Sequence, residues 1–259
     1  MNEDTVLDRF EQHYGIKPKA SAPRTWEVNG RHYRLHHLNH VAALMDDVLA
    51  RPNSLLHFNP AVFDSLYNPN RTEIQLRQFL AFGIAVAGKN SASTMKAMDK
   101  FLSLGKNEFG TVDPLRIAAS HFTRTALVDN LRECGFGCQT QRATSFLDAF
   151  YKIEQGKVSL GLSDARELET IKGVSFKTSR FFLLYSRANV EHAALDTHVW
   201  KMVRDHYPDA PEKVPSSRTK YEYWERKFMD LRDVIPACKG MSYAELDFYG
   251  WDGKRQGTI

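Results

Sequence analysis

From residue 38 onward, apolar residues return every three or four positions in stretches that open at Asp, Ser or Thr and close at Gly or Pro, which confines this part of the chain to packed helices. The pattern predicts helices over 38–50, 72–87 and 91–102, each with one stripe to bury. Asp113-Pro114 places a capping carboxylate before a proline suited to the first helical position, and one helix over 115–134 is expected to follow and to end at Gly135. Further helices are expected over 139–155, from Ser163 to about residue 170, over 176–187, from Asp196 to the stop at Pro208, over 218–233 and over 242–251.

Ahead of this array the residue types change. Lys17 to Pro23 reads as an arm or linker, whereas Thr25-Trp26-Glu27-Val28 and Arg31-His32-Tyr33-Arg34-Leu35 are strand formers around Asn29-Gly30, a pair suited to a type I′ turn. The expected organisation is an N-terminal arm and β-hairpin over 1–40 and a helical core over 41–259. The fold class is therefore mainly α with a short N-terminal β-hairpin.

With 259 residues, 42% hydrophobic and 25% charged, the chain can bury a core without staples, which excludes fibrous and disulfide-scaffold classes. Cys134, Cys138 and Cys238 cannot pair evenly and match neither a zinc finger nor a four-thiolate cluster, so a reducing, cytoplasmic setting is expected. No window approaches 18 uninterrupted apolar residues, so no membrane span is expected. The net charge is +4, and the basic residues Lys172, Lys177, Arg180, Arg187, Lys201 and Arg204 face only Glu191 and Asp196 between residues 170 and 204. Such a cluster suits a polyanionic partner.

That basic stretch holds the most informative motif. A turn, Ile171-Lys172-Gly173-Val174-Ser175, separates two helical segments and is followed by Phe176-Lys177-Thr178-Ser179, with Asp196-Thr197-His198-Val199-Trp200 further on. It resembles the helix-hairpin-helix DNA glycosylase superfamily, whose pattern is an apolar residue, often Pro, then Gly-Val-Gly, one variable residue and Lys-Thr-Ala, with a Val-Asp-x-His segment downstream. Gly173, Val174, Lys177, Thr178, Asp196 and His198 fall in register. The 19-residue step from Lys177 to Asp196, with Trp200 and Arg204 after it, is most similar to the 8-oxoguanine DNA glycosylase branch.

The resemblance implies a helix-hairpin-helix at about 163–187 that holds a DNA phosphate through Lys172, Gly173, Val174 and Ser175, because N–H groups at the start of the second helix point outward. The chain departs from the pattern at Lys172, where Pro is common, and at Ser175, which replaces the second Gly and is expected to strain the turn or weaken N–H presentation. Lys177 is implied as the nucleophile that attacks deoxyribose C1′ as a neutral amine and forms a Schiff base. An ordinary lysine titrates near about 10.4, so burial and the positive end of a helix must favour the neutral form. Asp196 is implied as the carboxylate that steadies the oxocarbenium-like sugar while capping its own helix. A base flipped out of the stack needs a clamp, implied at Phe181 and, on the last helix, at Phe248 or Trp251, with Asp247 bonding a purine N–H. Aromatic residues at that spacing equally suit a core, and His198 and Trp200 read as packing residues.

His36, His37 and His40 have no local carboxylate or thiol to complete a metal site, Ala87-Gly88-Lys89-Asn90-Ser91 lacks the earlier Gly of a phosphate loop, and Cys134 to Cys138 reads as a helix stop and turn. No metal or cofactor is expected. The first expectation is a DNA glycosylase and AP lyase excising an oxidised purine such as 8-oxoguanine from double-stranded DNA. The alternative is a glycosylase-fold accessory protein, as the resemblance extends to proteins of bacterial antiphage operons, recognising a modified guanine or deazaguanine or a protein of a defence complex.

Overall fold

Thr72, Asp113, Thr123, Asp164, Ser175 and Asp196 each stand one residue before a helix, and each side-chain oxygen accepts from a backbone N–H of the first turn. These short polar side chains satisfy donors that no helical carbonyl can reach, and so they set where the helices start. The computed structural model describes residues 7–8, 19–22, 25–28, 31–34, 67–89, 91–109 and 113–256. The chain divides into two units, Met1–Leu66 and Tyr67–Ile259.

The first unit contains a three-stranded antiparallel sheet, β1 (Lys19–Ala22), β2 (Thr25–Val28) and β3 (Arg31–Arg34), in that order. Trp26 faces Tyr33 and Val28 faces Arg31, the register of the expected hairpin. Within the stretch that reads as an arm or linker, Lys19–Ala22 pairs with β2, with an irregularity between Ala20 and Ala22. Its residues are weak strand formers, and the pairing edge offered by β2 supplies the partners that propensity does not. The Asn29-Gly30 turn, the helix over 38–50 and His36, His37 and His40 lie outside the described residues.

The second unit is helical: α1 (Glu73–Val86), α2 (Ser91–Phe109), α3 (Pro114–Ser120), α4 (Arg124–Glu133), α5 (Gln139–Glu154), α6 (Ala165–Leu168), α7 (Phe176–Ser186), α8 (Thr197–His206), α9 (Arg218–Val234) and α10 (Tyr243–Gln256). The single helix expected over 115–134 is two. Thr123 Oγ1 accepts from the Ala126 N–H, and this local bond restarts the backbone and isolates α3 from α4. Helices α1 to α5 bury Leu80, Phe101, Leu115, Leu131 and Phe146, while α8, α9 and α10 close around Val199, Tyr221, Phe228 and Leu246. Gly250 permits that closure, since a Cβ there would lie 3.0 Å from Met202 Sδ on α8. Helix α7 packs against α1 and α10 and so joins the two groups. Among the described residues no helix is long and apolar enough to cross a membrane.

Candidate active site at the heads of α7 and α8

The turn between α6 and α7 rests on α5. Gly173 has φ +83°, and a Cβ there would sit 2.2 Å from Ser145 Oγ, so both conformation and space demand glycine. The Lys172 N–H donates to Asp148 Oδ2 at 2.8 Å. Against the upward push of burial, that N–H and the Lys152 ammonium hold the Asp148 carboxyl below its ordinary range. The Val174 N–H is also engaged, by the Ile171 carbonyl, and the Val174 side chain is buried. The expected strain at Ser175 does not arise: its backbone is extended at φ −86°, and its Oγ accepts from the Thr178 N–H as the cap of α7. The N–H groups of Gly173, Ser175, Phe176 and Lys177 have no acceptor among the described residues. Lys172 is exposed beside them.

Lys177 is the second residue of α7 and is half-buried. Its Nζ lies 5.6 Å from the centre of the Phe181 ring, one turn along the same face, and makes no ion pair among the described residues. The Phe181 and Tyr185 rings are 5.2 Å apart, which extends the row by another turn. At its end the Tyr185 hydroxyl donates to Asp247 Oδ2 at 2.9 Å, and Asp247 Oδ1 accepts from the Ala194 N–H at 2.8 Å. Asp247, expected to bond a purine, thus has both oxygens engaged within the fold and is 4% exposed.

Two residues beyond Ala194 stands Asp196. Its Oδ1 accepts from the N–H groups of His198 and Val199, both at 2.8 Å, and its Oδ2 has no hydrogen-bond partner among the described residues. A capped carboxylate with a second, open oxygen is a fixed negative charge available to a ligand. Burial, followed by repulsion from Asp196, raises the Asp247 carboxyl to about 7, while the Ala194 N–H, Tyr185 and Lys177 oppose that rise. Lys177, Asp196 and Asp247 therefore share one electrostatic neighbourhood. Of the expected aromatic residues on α10, the Trp251 ring stands edge-on to His198, in the first turn of α8, at 6.4 Å, and Phe248, itself buried, has its ring 5.9 Å from that of Trp251.

Sequence reasoning missed Tyr185, Tyr221, Glu225 and Arg180. Tyr185 had a signal, since it lies two helical turns from Lys177 through Phe181. Arg180 is buried between Glu169 and Glu225, and Glu169 also receives Arg218 at 2.5 Å. Nothing in the spacing of Glu169 and Glu225 marks them as partners of one arginine. A cavity of about 170 Å³ lies near the far end of α7, lined by Leu184, Arg187 and Tyr243 but not by Lys177 or Asp196. Among the described residues no three His, Cys, Asp or Glu side chains converge as a metal site.

Comparison with protein families and with curated proteins gives no match. Solved structures do match. The 8-oxoguanine DNA glycosylase of Thermotoga maritima superposes with a TM-score of 0.53 at 21% identity, over 82% of this chain and 96% of its own. The Methanocaldococcus jannaschii 8-oxoguanine glycosylase/lyase, in complex with a 15mer DNA containing 8-oxoguanine, superposes with a TM-score of 0.55 at 19% identity, over 83% and 98%. At such identities it is the path of the backbone that is shared, and the chain has the helix-hairpin-helix fold of the 8-oxoguanine DNA glycosylases.

Proposed function

We propose that this protein is a DNA glycosylase with AP lyase activity that removes an oxidised purine of the 8-oxoguanine kind from double-stranded DNA. The observation that supports the reading is that Lys177, in the first turn of α7, and Asp196, the cap of α8, both act as charges on the one buried Asp247 carboxyl, which is itself hydrogen-bonded to Tyr185 of α7 and to the Ala194 N–H two residues before Asp196. The neighbours of like fold include the Methanocaldococcus jannaschii glycosylase/lyase in complex with DNA containing 8-oxoguanine, which supports the substrate class.

In this reading the free N–H groups at the head of α7, with the Lys172 ammonium beside them, hold a backbone phosphate and carry no base preference. The flipped base lies between Phe181 and Trp251, with Phe248 packed behind the indole. Lys177, as the neutral amine, bonds to C1′ while the bond from C1′ to the base nitrogen breaks and the base leaves with the bonding pair and takes up a proton. The Asp196 carboxylate faces the positive charge that grows on the sugar, and because it is already capped it need not reorganise. Opening of the sugar ring leaves an iminium between Lys177 and C1′. Loss of a C2′ proton then expels the 3′ phosphate, and water releases the lysine. Cys134, Cys138 and Cys238 are all free thiols, in keeping with a cytoplasmic place of action.

Borohydride reduction tests the reading, because it converts the iminium to a stable amine. A covalent adduct with duplex DNA carrying 8-oxoguanine opposite cytosine, or an abasic site, is expected for the wild type and absent for Lys177→Ala. No adduct with either duplex, in protein that binds them, would defeat it.

A further inference from the structure

We propose that Asp247 and Glu225 form a two-carboxylate clamp that sets the register between α7, which carries Lys177, and the extended segment over 192–196, which delivers Asp196. The inference rests on the reading of Lys177 and Asp196 given above, and it assigns both acids as positioning residues.

The clamp follows from the alternation of an extended backbone. Successive N–H groups of such a segment point to opposite sides. Those of Ala193 and Leu195 donate to Glu225 Oε1 at 3.1 Å and to the Tyr221 hydroxyl at 2.9 Å, two side chains one turn apart on α9. The N–H between them, on Ala194, donates to Asp247 on α10. Tyr221 in turn donates to the Ala193 carbonyl at 3.3 Å. The segment is held from both sides, residue by residue, up to the one before Asp196.

Each acid also uses its second oxygen on α7. Asp247 Oδ2 accepts from the Tyr185 hydroxyl at 2.9 Å, and Glu225 Oε2 faces Arg180 Nε at 3.4 Å. His192 Nδ1 adds a contact to Glu225 Oε1 at 2.9 Å. Lys177, Arg180 and Tyr185 belong to one helix of 11 residues, so a carboxylate that grips Tyr185 or Arg180 fixes the lysine as well. Asp247 and Glu225 are each 4% exposed. Apolar residues of equal volume would fill the same space without the desolvation of an acid, whereas a side chain with two hydrogen-bonding atoms can register two chain segments at hydrogen-bond precision. That precision matters in a site of this kind, where a displacement of about 1 Å costs on the order of 100-fold in rate.

The test separates positioning from chemistry. Asn at residue 247 keeps an oxygen for the Ala194 N–H and a donor for the Tyr185 oxygen, while Ala keeps neither. Under single-turnover borohydride trapping on abasic duplex, Asp247→Ala is expected to slow adduct formation by about tenfold or more, with duplex affinity unchanged within about twofold, and Asp247→Asn to recover most of the rate. Tyr185→Phe removes one hydroxyl and serves if Asp247→Ala does not fold; it is expected to slow trapping by a few-fold. Amide hydrogen exchange of residues 193–195, measured without DNA, is expected to speed up in Asp247→Ala and to return in Asp247→Asn. Unchanged exchange in Asp247→Ala, or an Asp247→Asn variant as slow in trapping as Asp247→Ala despite restored exchange, overturns the clamp. Should the wild type form no adduct at all, the glycosylase reading fails and the exchange measurement still decides whether the clamp exists.

Discussion

Among the described glycines of the second unit, Gly173 leaves the least room for a side chain. Its φ of +83° is open to glycine and strained for other residues, and a methyl group there would overlap Ser145 Oγ. Gly173→Ala is therefore expected to cost about 2–4 kcal/mol, as both backbone strain and overpacking oppose it. Ser145→Ala in the same chain removes the hydroxyl but leaves φ untouched, so it should restore only part of the loss. Urea unfolding of the two single variants and the double variant would measure this, and a Gly173→Ala midpoint equal to that of the wild type would contradict the geometry. The neighbouring Ser175 shows the reverse case. Its extended φ of −86° needs no glycine, and the hydroxyl it brings caps α7.

At the scale of the helix, Asp196 has two tasks that substitution can separate. Its Oδ1 caps α8 through His198 and Val199, and its Oδ2 is open. Asn caps about as well as Asp, whereas Ala does not, so Asp196→Ala should lower stability by about 1 kcal/mol and Asp196→Asn by a few tenths. On the proposed glycosylase reading, base excision should fall in both, since each loses the charge. Thermal melts beside single-turnover excision would separate the effects, and an Asp196→Asn enzyme that excises at the wild-type rate would leave Asp196 a cap and nothing more. The break between α3 and α4 shows how local such decisions are. One threonine hydroxyl at residue 123 outweighs an apolar periodicity that runs through it.

For the whole molecule, Asp247 ties stability to pH. Burial first, and then the Asp196 charge, lift its carboxyl to about 7 in the folded protein. An aspartate in the unfolded chain titrates near about 3.9. Between those values the folded state keeps a proton that the unfolded state has lost, so this group makes stability fall as pH rises through the window. From about pH 5 to about pH 8 the fall amounts to roughly 3 kcal/mol. Asp247→Asn cannot titrate, and its stability relative to the wild type should improve by about that amount over the same range. Urea midpoints at the two pH values check it, and a constant difference between the proteins would rule it out.

The sequence by itself determined the helical class and most helix starts, and it singled out the two residues on which the proposed chemistry turns. Thr72, Asp113, Ser175 and Asp196 act on the N–H groups of the turn that follows them, and Gly173, Lys177 and Asp196 belong to a motif whose spacing is visible along the chain. Such interactions span a few residues and need no knowledge of the rest of the molecule. The tertiary structure alone decided that Asp247 would turn inward to Tyr185 and Ala194, 62 and 53 residues away, and that Glu225 would hold Arg180 and Ala193. A carboxylate carries no mark of the donor that it will meet. Which donors were left in need of one was fixed only when α7, the extended segment, α9 and α10 packed together and shut water out.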